Sequence, residues 1–218
     1  MQHHGLRDGI SFCDIDGKLV FLDLGRDRYF ALGVAAEDAF RSLADCGGDC
    51  DDNGLDLLRG TGLIVPTDAF HPISPANGIR PTRSLVERRD IAVRVRPTLL
   101  PEIAARLLTA RYRIGRKRLP EAVAALRARS QRSTRAGTAA EDLAPVYLAS
   151  RRLIPLEPNC LRDSLALASY LKRRRAPFKL VIGVKLSPFA AHCWLQVGDL
   201  VLNDSLDSVA DFHPILVV

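Results

Sequence analysis

Long apolar runs are missing from the sequence. None of its 218 residues lies in a stretch of the roughly 18 uninterrupted apolar residues that a membrane-spanning helix requires. The N-terminus, Met1-Gln2-His3-His4-Gly5, lacks the basic and apolar regions of a secretory signal peptide. We therefore predict a cytoplasmic protein that has no membrane as a partner.

Cysteine is too scarce and too irregularly spaced for a disulfide framework. The five cysteines are an odd number in a chain long enough to need no cross-links, so we expect reduced thiols. Cys46 and Cys50 form the closest pair, but without a second pair or nearby histidines they lack the partners of a zinc site. The sequence predicts a glycine-rich loop there, and it predicts neither a metal nor a cofactor.

What the sequence does contain is a sharp change in charge. Apolar residues make up 47% and charged residues 26%, as in a soluble globular protein. Residues 1–79 carry a net charge of −7, whereas residues 80–135 carry +12. Residues 72–81, at the change of sign, have the proline and glycine content of a linker. We predict an N-terminal domain of residues 1–71 and a C-terminal domain of residues 82–218.

The N-terminal domain has the pattern of three short strands followed by helices. Alternation of apolar residues predicts the strands, and helical spacing predicts the helices. These predicted elements are residues 10–15, 18–24, 28–32, 35–43 and 53–59. Asp16-Gly17 marks a tight hairpin, because glycine accepts the positive φ that such a turn requires. The order predicts a small winged-helix-like domain, whose negative charge argues against nucleic acid as a partner.

This module resembles a known kind of peptide-binding domain. DGKLVFLDLGRDRYFALG and the later LLRGTGLIV resemble the precursor-peptide recognition elements of peptide natural-product enzymes, whose fold also occurs in the pyrroloquinoline-quinone biosynthesis chaperone. Those modules bind a leader peptide as an added strand beside their third strand and against their last helix. The resemblance implies a groove lined by Arg28, Tyr29, Phe30, Leu32, Leu55 and Leu58. Tyr29 and Phe30 also fit an ordinary core, and a period of two lets only one of them face the helices.

A basic region follows the linker. Five of its cations fall within eight positions of a segment with apolar residues at helical spacing: Arg111, Arg113, Arg116, Lys117 and Arg118. Such a run fits a solvated helix face, and it also fits docking of an acidic partner such as an enzyme or a nucleotide. Both interpretations stay open.

The residues suited to chemistry lie in the last third of the chain. Asn159 is a good helix cap before apolar residues at helical spacing, which predicts that Cys160 lies in the first turn of a helix. The unpaired N–H groups and the positive dipole end of that turn favour the thiolate over the thiol. Cys160 is therefore a candidate nucleophile.

Three strands with tight connections are predicted after this helix. They are residues 179–184, 191–197 and 200–204. Alternation places His192, Trp194 and Gln196 on one face of the second strand and Cys193 on the other. Because Cys193 points away from His192, Cys160 is the better candidate nucleophile.

Asp204 on the third strand completes a Cys-His-Asp order. In such a triad the histidine accepts the thiol proton and returns it to the leaving amine, while the aspartate orients the imidazole. A two-residue turn at Gly198-Asp199 would leave Asp204 opposite Cys193, on the wrong face. The sequence therefore predicts a loop of three or five residues between the second and third strands.

A second resemblance covers this region. NCLRDSLALASYLKRRRAPFKLVIGV and AHCWLQVGDLVLND resemble the transglutaminase-like cysteine proteases that mature lasso peptides. The resemblance implies an α+β protein in which a papain-like or transglutaminase-like protease domain, with its catalytic core in residues 158–218, follows the recognition domain. It implies Cys160 as the nucleophile, His192 as the base and Asp204 as the orienting acid. Cys193 stands where alanine is usual in that family.

The resemblance also implies a reaction and its partners. Such a cysteine peptidase captures the leader of a lasso peptide precursor and cleaves it from the core peptide, and a separate asparagine-synthetase-like, ATP-using cyclase then closes the macrolactam. Two other interpretations stay open, namely another Cys-His-Asp acyl-transfer enzyme, such as a transglutaminase or amide-forming transferase, and a non-catalytic peptide carrier. Asn159 and Gln196 are both candidates to stabilise the oxyanion beside the N–H of Cys160.

Overall fold

The chain folds into two compact units. The computed structural model describes residues 3–45, 52–88, 95–116, 118–130 and 139–218. The first unit is Met1–Ala76 and the second is Asn77–Val218, so the boundary lies within residues 72–81. No helix of the described residues is both long and apolar enough to cross a membrane.

Within the described residues, five strands and two helices form the N-terminal unit. They are β1 (His3–Leu6), β2 (Ile10–Ile15), β3 (Lys18–Asp23), β4 (Arg28–Phe30), α1 (Val34–Asp45), α2 (Asp52–Thr61) and β5 (Ile64–Thr67). β2, β3 and β4 form an antiparallel sheet in that order, as the three predicted strands require. β1 pairs with β5 in a separate ribbon, which the sequence does not predict because His3-His4-Gly5 lacks the β-branched residues typical of strands.

The turn between β2 and β3 is the predicted two-residue hairpin. Ile15 pairs with Lys18, and between them Asp16 and Gly17 both have positive φ, 51° and 81°. The N–H of Gly17 donates to the Asp14 carboxylate at 2.8 Å, which closes the turn.

Aromatic rings fill the core of the N-terminal unit. Phe12 and Phe21 stack with ring centroids 5.6 Å apart, and Phe40 of α1 meets them edge-on at 5.1 and 5.0 Å. Phe30 of β4 stacks on Phe21 at 5.3 Å. Phe30 therefore takes the inner face of β4, so Tyr29 takes the other.

A mainly antiparallel sheet and several helices form the C-terminal unit. In the described residues they are β6 (Arg83–Ser84), a 3-10 turn (Pro97–Leu99), α3 (Leu100–Gly115), α4 (Leu119–Ser130), α5 (Ala140–Arg151), α6 (Cys160–Arg173), β7 (Lys179–Leu186), β8 (Phe189–Val197), β9 (Leu200–Val201), α7 (Leu206–Val209) and β10 (His213–Val217). The strand order is β10-β7-β8-β9-β6, and β9 is parallel only to β6. The predicted mixture of helices and sheet is confirmed.

The basic run falls at the C-terminal end of α3. Its described members are all exposed: Arg111, Arg113, Arg116 and Arg118. Lys117 lies outside the described residues. The Arg116 guanidinium lies 5.4 Å over the ring of Tyr112, which is itself 53% exposed. The end of α3 and the residues after it therefore form an exposed basic surface, which fits both interpretations of the run.

α6 lies between the sheet and α3. Its buried apolar side chains are Leu165, Ala166, Leu167, Ala168 and Leu171. α6 packs against both α3 and β8, and Ile103 and Leu107 of α3 are completely buried. Glu102 of α3 accepts hydrogen bonds from Arg174 at 2.8 Å and from Arg106 at 2.6 Å, which lower the pKa of Glu102 to about 2 despite partial burial. This ion cluster fixes the end of α6 on α3.

The turn between β8 and β9 is shorter than predicted. Val197 pairs with Leu200, so Gly198 and Asp199 form a two-residue turn, and the prediction of a three- or five-residue loop is wrong. Gly198 takes the positive φ of 57° that this tight turn needs. Arg83 donates to both carboxylate oxygens of Asp199, at 2.8 and 3.1 Å, and so holds the turn against β6.

Asp204 avoids the wrong face because β9 ends early. β9 stops at Val201, and only the Leu202 N–H still donates to β8, to the Leu195 carbonyl at 2.8 Å. The chain then leaves the sheet, and Ser205 caps α7. The alternation that would turn Asp204 away therefore stops before it reaches that residue. The predicted third strand, residues 200–204, is therefore too long, since β9 ends at Val201.

Candidate active site

Cys160 is the first residue of α6, as predicted. The side chain of Asn159 accepts a hydrogen bond from the Arg162 N–H at 2.9 Å, which confirms Asn159 as the helix cap. The N–H of Asn159 donates to the Asp163 carboxylate at 3.0 Å, and Arg151 of α5 donates to the same carboxylate at 3.2 Å. These bonds fix the turn that carries the thiol.

The surroundings of Cys160 lower the pKa of its thiol. The largest cause is the hydrogen bond with the imidazole of His192, and the N–H groups of Cys193 and Leu161 also donate to the sulfur. Burial acts in the opposite direction, because it disfavours the charged form, but it does not outweigh these contacts. Cys160 therefore favours the thiolate, in agreement with its place in the first turn of a helix.

His192 connects the thiol to a carboxylate. Its Nε2 lies 2.7 Å from Oδ2 of Asp204. The hydrogen bond with Asp204, followed by that with Cys160, raises the pKa of His192 to about 9 against the effect of burial. Since Nε2 faces Asp204, Nδ1 is the nitrogen left for Cys160. The structure thus brings together the three residues that the sequence predicts.

Asp204 is held in its ionised form. Burial would raise the pKa of this carboxyl, but hydrogen bonds from His192, from the Ser205 N–H at 2.8 Å and from Ser208 keep the pKa below its usual value. The hydroxyl of Ser84 on β6 donates to the backbone carbonyl of Asp204 at 2.6 Å. Both the side chain and the backbone of Asp204 are therefore anchored.

Two aromatic side chains flank His192. Its ring stacks on Trp194 with centroids 6.1 Å apart and lies 5.3 Å from the ring of Phe212. Gly183 on β7 pairs with His192, and a Cβ at Gly183 would lie 2.8 Å from the Trp194 indole and 2.9 Å from Phe212. The sequence analysis missed Gly183 and Phe212. The available signal was a glycine inside an apolar strand, which indicates close approach of another group.

Cys193 lies on the opposite side of β8 from His192, as the alternation predicts. It is 2% exposed, and burial raises the pKa of its thiol. Its carbonyl accepts a hydrogen bond from Ser164 of α6 at 2.9 Å. A buried thiol that resists ionisation is a poor nucleophile.

The other cysteines also differ from Cys160. Cys13 is buried in the N-terminal unit, and burial, with a smaller effect of Asp14, raises the pKa of its thiol to about 12. Cys46 and Cys50, and the loop predicted around them, lie outside the described residues. In the described parts of the chain, no group of three or more His, Cys, Asp or Glu side chains is placed to hold a metal ion.

The two candidate oxyanion donors, Gln196 and Asn159, differ in whether their side-chain N–H groups are already hydrogen-bonded. Gln196 is 4% exposed, and its Oε1 accepts from the Trp194 indole N–H at 2.8 Å. Its Nε2 donates to the carbonyls of Ile79 and Gly198, both at 2.9 Å, so both of its N–H groups are engaged. Asn159 is exposed and caps α6 through Oδ1, which leaves its Nδ2 group as the better candidate.

Five of the six residues predicted to line a leader groove keep some exposed surface. They are Arg28, Tyr29 and Phe30 of β4, Leu32 after it, and Leu55 of α2. Phe30, Leu32 and Leu55 are partly buried against the core of the N-terminal unit. The Arg28 guanidinium lies 5.1 Å over the Phe30 ring.

Leu58 departs from the prediction. It has no exposed surface and packs in the core of the N-terminal unit, so it supports α2 and lines no groove in this structure. Helical periodicity alone did not reveal this, because Leu55, Leu57 and Leu58 compete for the inner face. Leu57 is 43% exposed and takes the outer side.

Thiolate, imidazole and carboxylate in this order suit cysteine-dependent acyl transfer, in which sulfur attacks a carbonyl carbon and imidazole moves the protons. The comparison with known families agrees with this chemistry. Residues 103–217, just over half of the chain, match the family model of the transglutaminase-like superfamily. The chain therefore belongs to this superfamily, whose members are in general cysteine-based acyltransferases and proteases.

A curated relative is similar over a shorter stretch. Over 47 residues the chain is 45% identical to the microcin J25-processing protein McjB of Escherichia coli. The stretch spans 22% of this chain and 23% of that relative, well under two thirds of the relative's length. No solved structure matches this chain.

Proposed function

We propose that this protein is a cysteine peptidase that binds the leader of a lasso peptide precursor and cleaves it from the core peptide before a partner cyclase closes the macrolactam. The observation that carries the proposal is the contact of one imidazole, His192, with both the Cys160 thiol and the Asp204 carboxylate. The superfamily and the similarity to a microcin-processing protein support the substrate class.

The first half of the proposed reaction transfers the leader's acyl group to sulfur. The Cys160 thiolate adds to the scissile carbonyl carbon, and the negative charge that collects on the oxygen is stabilised by the Cys160 N–H and by Nδ2 of Asn159. As the C–N bond breaks, the His192 imidazolium gives its proton to the leaving amine of the core peptide. The leader remains as a thioester on Cys160.

The second half releases the leader. Neutral His192 takes a proton from water as the water oxygen adds to the thioester carbonyl. The C–S bond then breaks, so the leader leaves with a free carboxylate and the thiolate–imidazolium pair is restored. Asp204 keeps the imidazole oriented in both halves and stabilises its charged form. The amine freed on the core is the group that a cyclase would join to a side-chain carboxyl.

The N-terminal unit is proposed to be the leader-recognition domain, of the winged-helix-like type. β4 is an outer strand of the three-stranded sheet, so an extended leader can add to it as a further strand. Side chains that retain exposed surface on β4, after it and on α2 would then select the leader sequence. They are Arg28, Tyr29, Phe30, Leu32 and Leu55.

The direct test is mass spectrometry of a precursor peptide from the same source after incubation with the purified protein. Loss of a leader-sized mass with the wild type and none with Cys160→Ala, which should still bind the leader, is the expected result. A cut that persists in Cys160→Ala overturns the assignment. Incorporation of an added amine in place of water would indicate a transglutaminase or amide-forming transferase. Binding without reaction, even with cyclase and ATP added, would indicate a peptide carrier.

A second experiment tests the division of labour between the two units. Tyr29→Ala should weaken leader binding and slow cleavage of the full precursor, and it should leave cleavage of a leaderless junction peptide unchanged. Lys18→Ala, an exposed change on β3 of the same unit, is the control and should alter neither. Equal losses on both substrates would reject the two-unit account.

A further inference from the structure

A hydrogen-bond network joins the three segments that carry the proposed triad. Its centre is Asn203, whose Oδ1 accepts from the Leu195 N–H of β8 at 2.7 Å. Nδ2 of Asn203 donates to the hydroxyl of Ser164 on α6 at 2.9 Å, and that hydroxyl donates to the Cys193 carbonyl of β8 at 2.9 Å. One side chain thus links α6, β8 and the segment after β9.

Each member of the network is close in sequence to one member of the triad. Asn203 directly precedes the proposed orienting acid, and Cys193 directly follows the proposed base. Ser164 lies one helical turn after the proposed nucleophile, on the same helix. Because these neighbours share a rigid backbone with the triad residues, the network sets the spacing of the thiol, the imidazole and the carboxylate.

The donors and acceptors of the network are complementary. The carbonyl oxygen of Asn203 must face the Leu195 N–H, so its NH₂ group faces Ser164. The Ser164 oxygen then accepts, and its own hydroxyl group contacts Cys193, both at the carbonyl 2.9 Å away and at the thiol. Ser164 has no exposed surface, so water does not replace its hydroxyl if it is removed.

The network also explains why Asp204 reaches His192 after a two-residue turn. β8 loses its neighbouring strand where β9 ends at Val201. The Asn203 side chain then replaces the missing strand as the acceptor for Leu195, which frees the backbone to turn and present the next residue to the imidazole.

We propose that Ser164 and Asn203 are positioning residues of this site, which hold α6, β8 and the segment after β9 at the spacing where thiol, imidazole and carboxylate meet. The identity of the reaction rests on the proposed function, whereas the spacing acts on the thiol whatever the substrate. Neither residue touches the reacting atoms in the mechanism above.

The test measures the rate at which iodoacetamide alkylates Cys160 as a function of pH, with Cys160→Ala as the background. A thiol with an ordinary pKa of about 8.5 is only about 3% ionised at pH 7, so complete loss of the spacing can slow alkylation by at most about 30-fold. Ser164→Ala should slow alkylation at pH 7 several-fold, toward that limit. The inflection that reports the Cys160 pKa should move upward.

Ser150→Ala is the matched control for a buried hydroxyl. Ser150 of α5 also has no exposed surface, and its hydroxyl accepts a hydrogen bond from the Arg96 N–H at 3.3 Å. Both serine variants should lower the Tm, but only Ser164→Ala should shift the alkylation profile. A shift in both variants, or in neither, would overturn the proposal.

Asn203→Ala gives the same readout at a partly exposed position if Ser164→Ala does not fold. Where both fold, the double variant should slow alkylation by less than the product of the two single losses, because the hydrogen bond between Asn203 and Ser164 is lost in each single variant. Losses that multiply would overturn the network. The proposed function and the positioning role can fail separately. If the wild type cleaves no precursor but the alkylation profile still shifts only in Ser164→Ala, the peptidase assignment is rejected and the positioning role is retained.

Discussion

Asp204→Asn separates the charge of the site from its shape. Asparagine has nearly the same size as aspartate and can still accept a hydrogen bond from His192, but it carries no charge. The bond with Asp204, 2.7 Å long, is the largest cause that raises the pKa of His192 to about 9. Without the carboxylate, the pKa of His192 should fall toward its ordinary value of about 6.5.

The size of the effect follows from these two pKa values. At pH 8, a group with a pKa of about 9 is about 90% protonated, and one with a pKa of about 6.5 is about 3% protonated. The imidazolium should therefore become about 30-fold rarer at pH 8, which corresponds to about 2 kcal/mol. A Cys160 thiol with an ordinary pKa of about 8.5 would still be about one quarter ionised at that pH.

Two assays should respond differently to this change. Cleavage at pH 8 should slow by about 30-fold or more, because the imidazolium must protonate the leaving amine. Alkylation of Cys160 needs only the thiolate and should slow by no more than about fourfold. Asp207→Asn, an exposed carboxyl on α7, is the control and should change neither rate. An Asp204→Asn enzyme that keeps its cleavage rate up to about pH 9 would refute the reasoning.

Three further predictions concern the same site. The cleavage rate of the wild type should fall as pH rises through about 9, because the His192 imidazolium present below that pH is lost above it. The alkylation rate of Cys160 should not fall over the same range, and pH profiles of both rates check this. Gly183→Ala should lower the Tm and slow cleavage, since its Cβ would lie 2.8 Å from Trp194, at a typical cost of about 1–3 kcal/mol; an unchanged Tm contradicts the packing. Cys193→Ala should retain most cleavage activity in the assay that Cys160→Ala abolishes, and similar losses would mean that the wrong cysteine is assigned.

The features predicted correctly from the sequence depend on local signals. The hairpin at Asp16-Gly17 needs only a glycine at positive φ, and the start of α6 needs only Asn159 as a cap before an apolar helix. Alternation along β8 likewise separates His192 from Cys193 without knowledge of any neighbour. Each of these signals lies within a few residues of the feature that it specifies.

The features that were missed depend on contacts between distant segments. After β9 ends, the Asn203 side chain takes the place of a strand partner for Leu195, and no short-range pattern distinguishes such an asparagine from a surface one. The burial of Leu58 rather than Leu57 depends on how α2 meets the sheet. Gly183 is required by the Trp194 ring from the next strand. Tertiary packing determines the position of Asp204, the burial of Leu58 and the need for Gly183. The turn before β9 was predicted wrongly because the prediction assumed that Asp204 lies on the strand, whereas β9 ends at Val201.

The charges of the proposed triad make a last prediction about the role of the leader. Cys160, His192 and Asp204 all belong to the C-terminal unit, and the contacts that lower the pKa of the thiol and raise that of the imidazole come from the same unit. The contacts that favour the thiolate are therefore in place before any leader binds to the N-terminal unit. Leader capture should then act by raising the local concentration of the junction, as tethering does. A leaderless junction peptide should be cleaved with a similar kcat and with a KM raised by roughly a hundredfold or more. Steady-state kinetics on both substrates measure this, and an unchanged KM with a much lower kcat would mean instead that the leader activates the site.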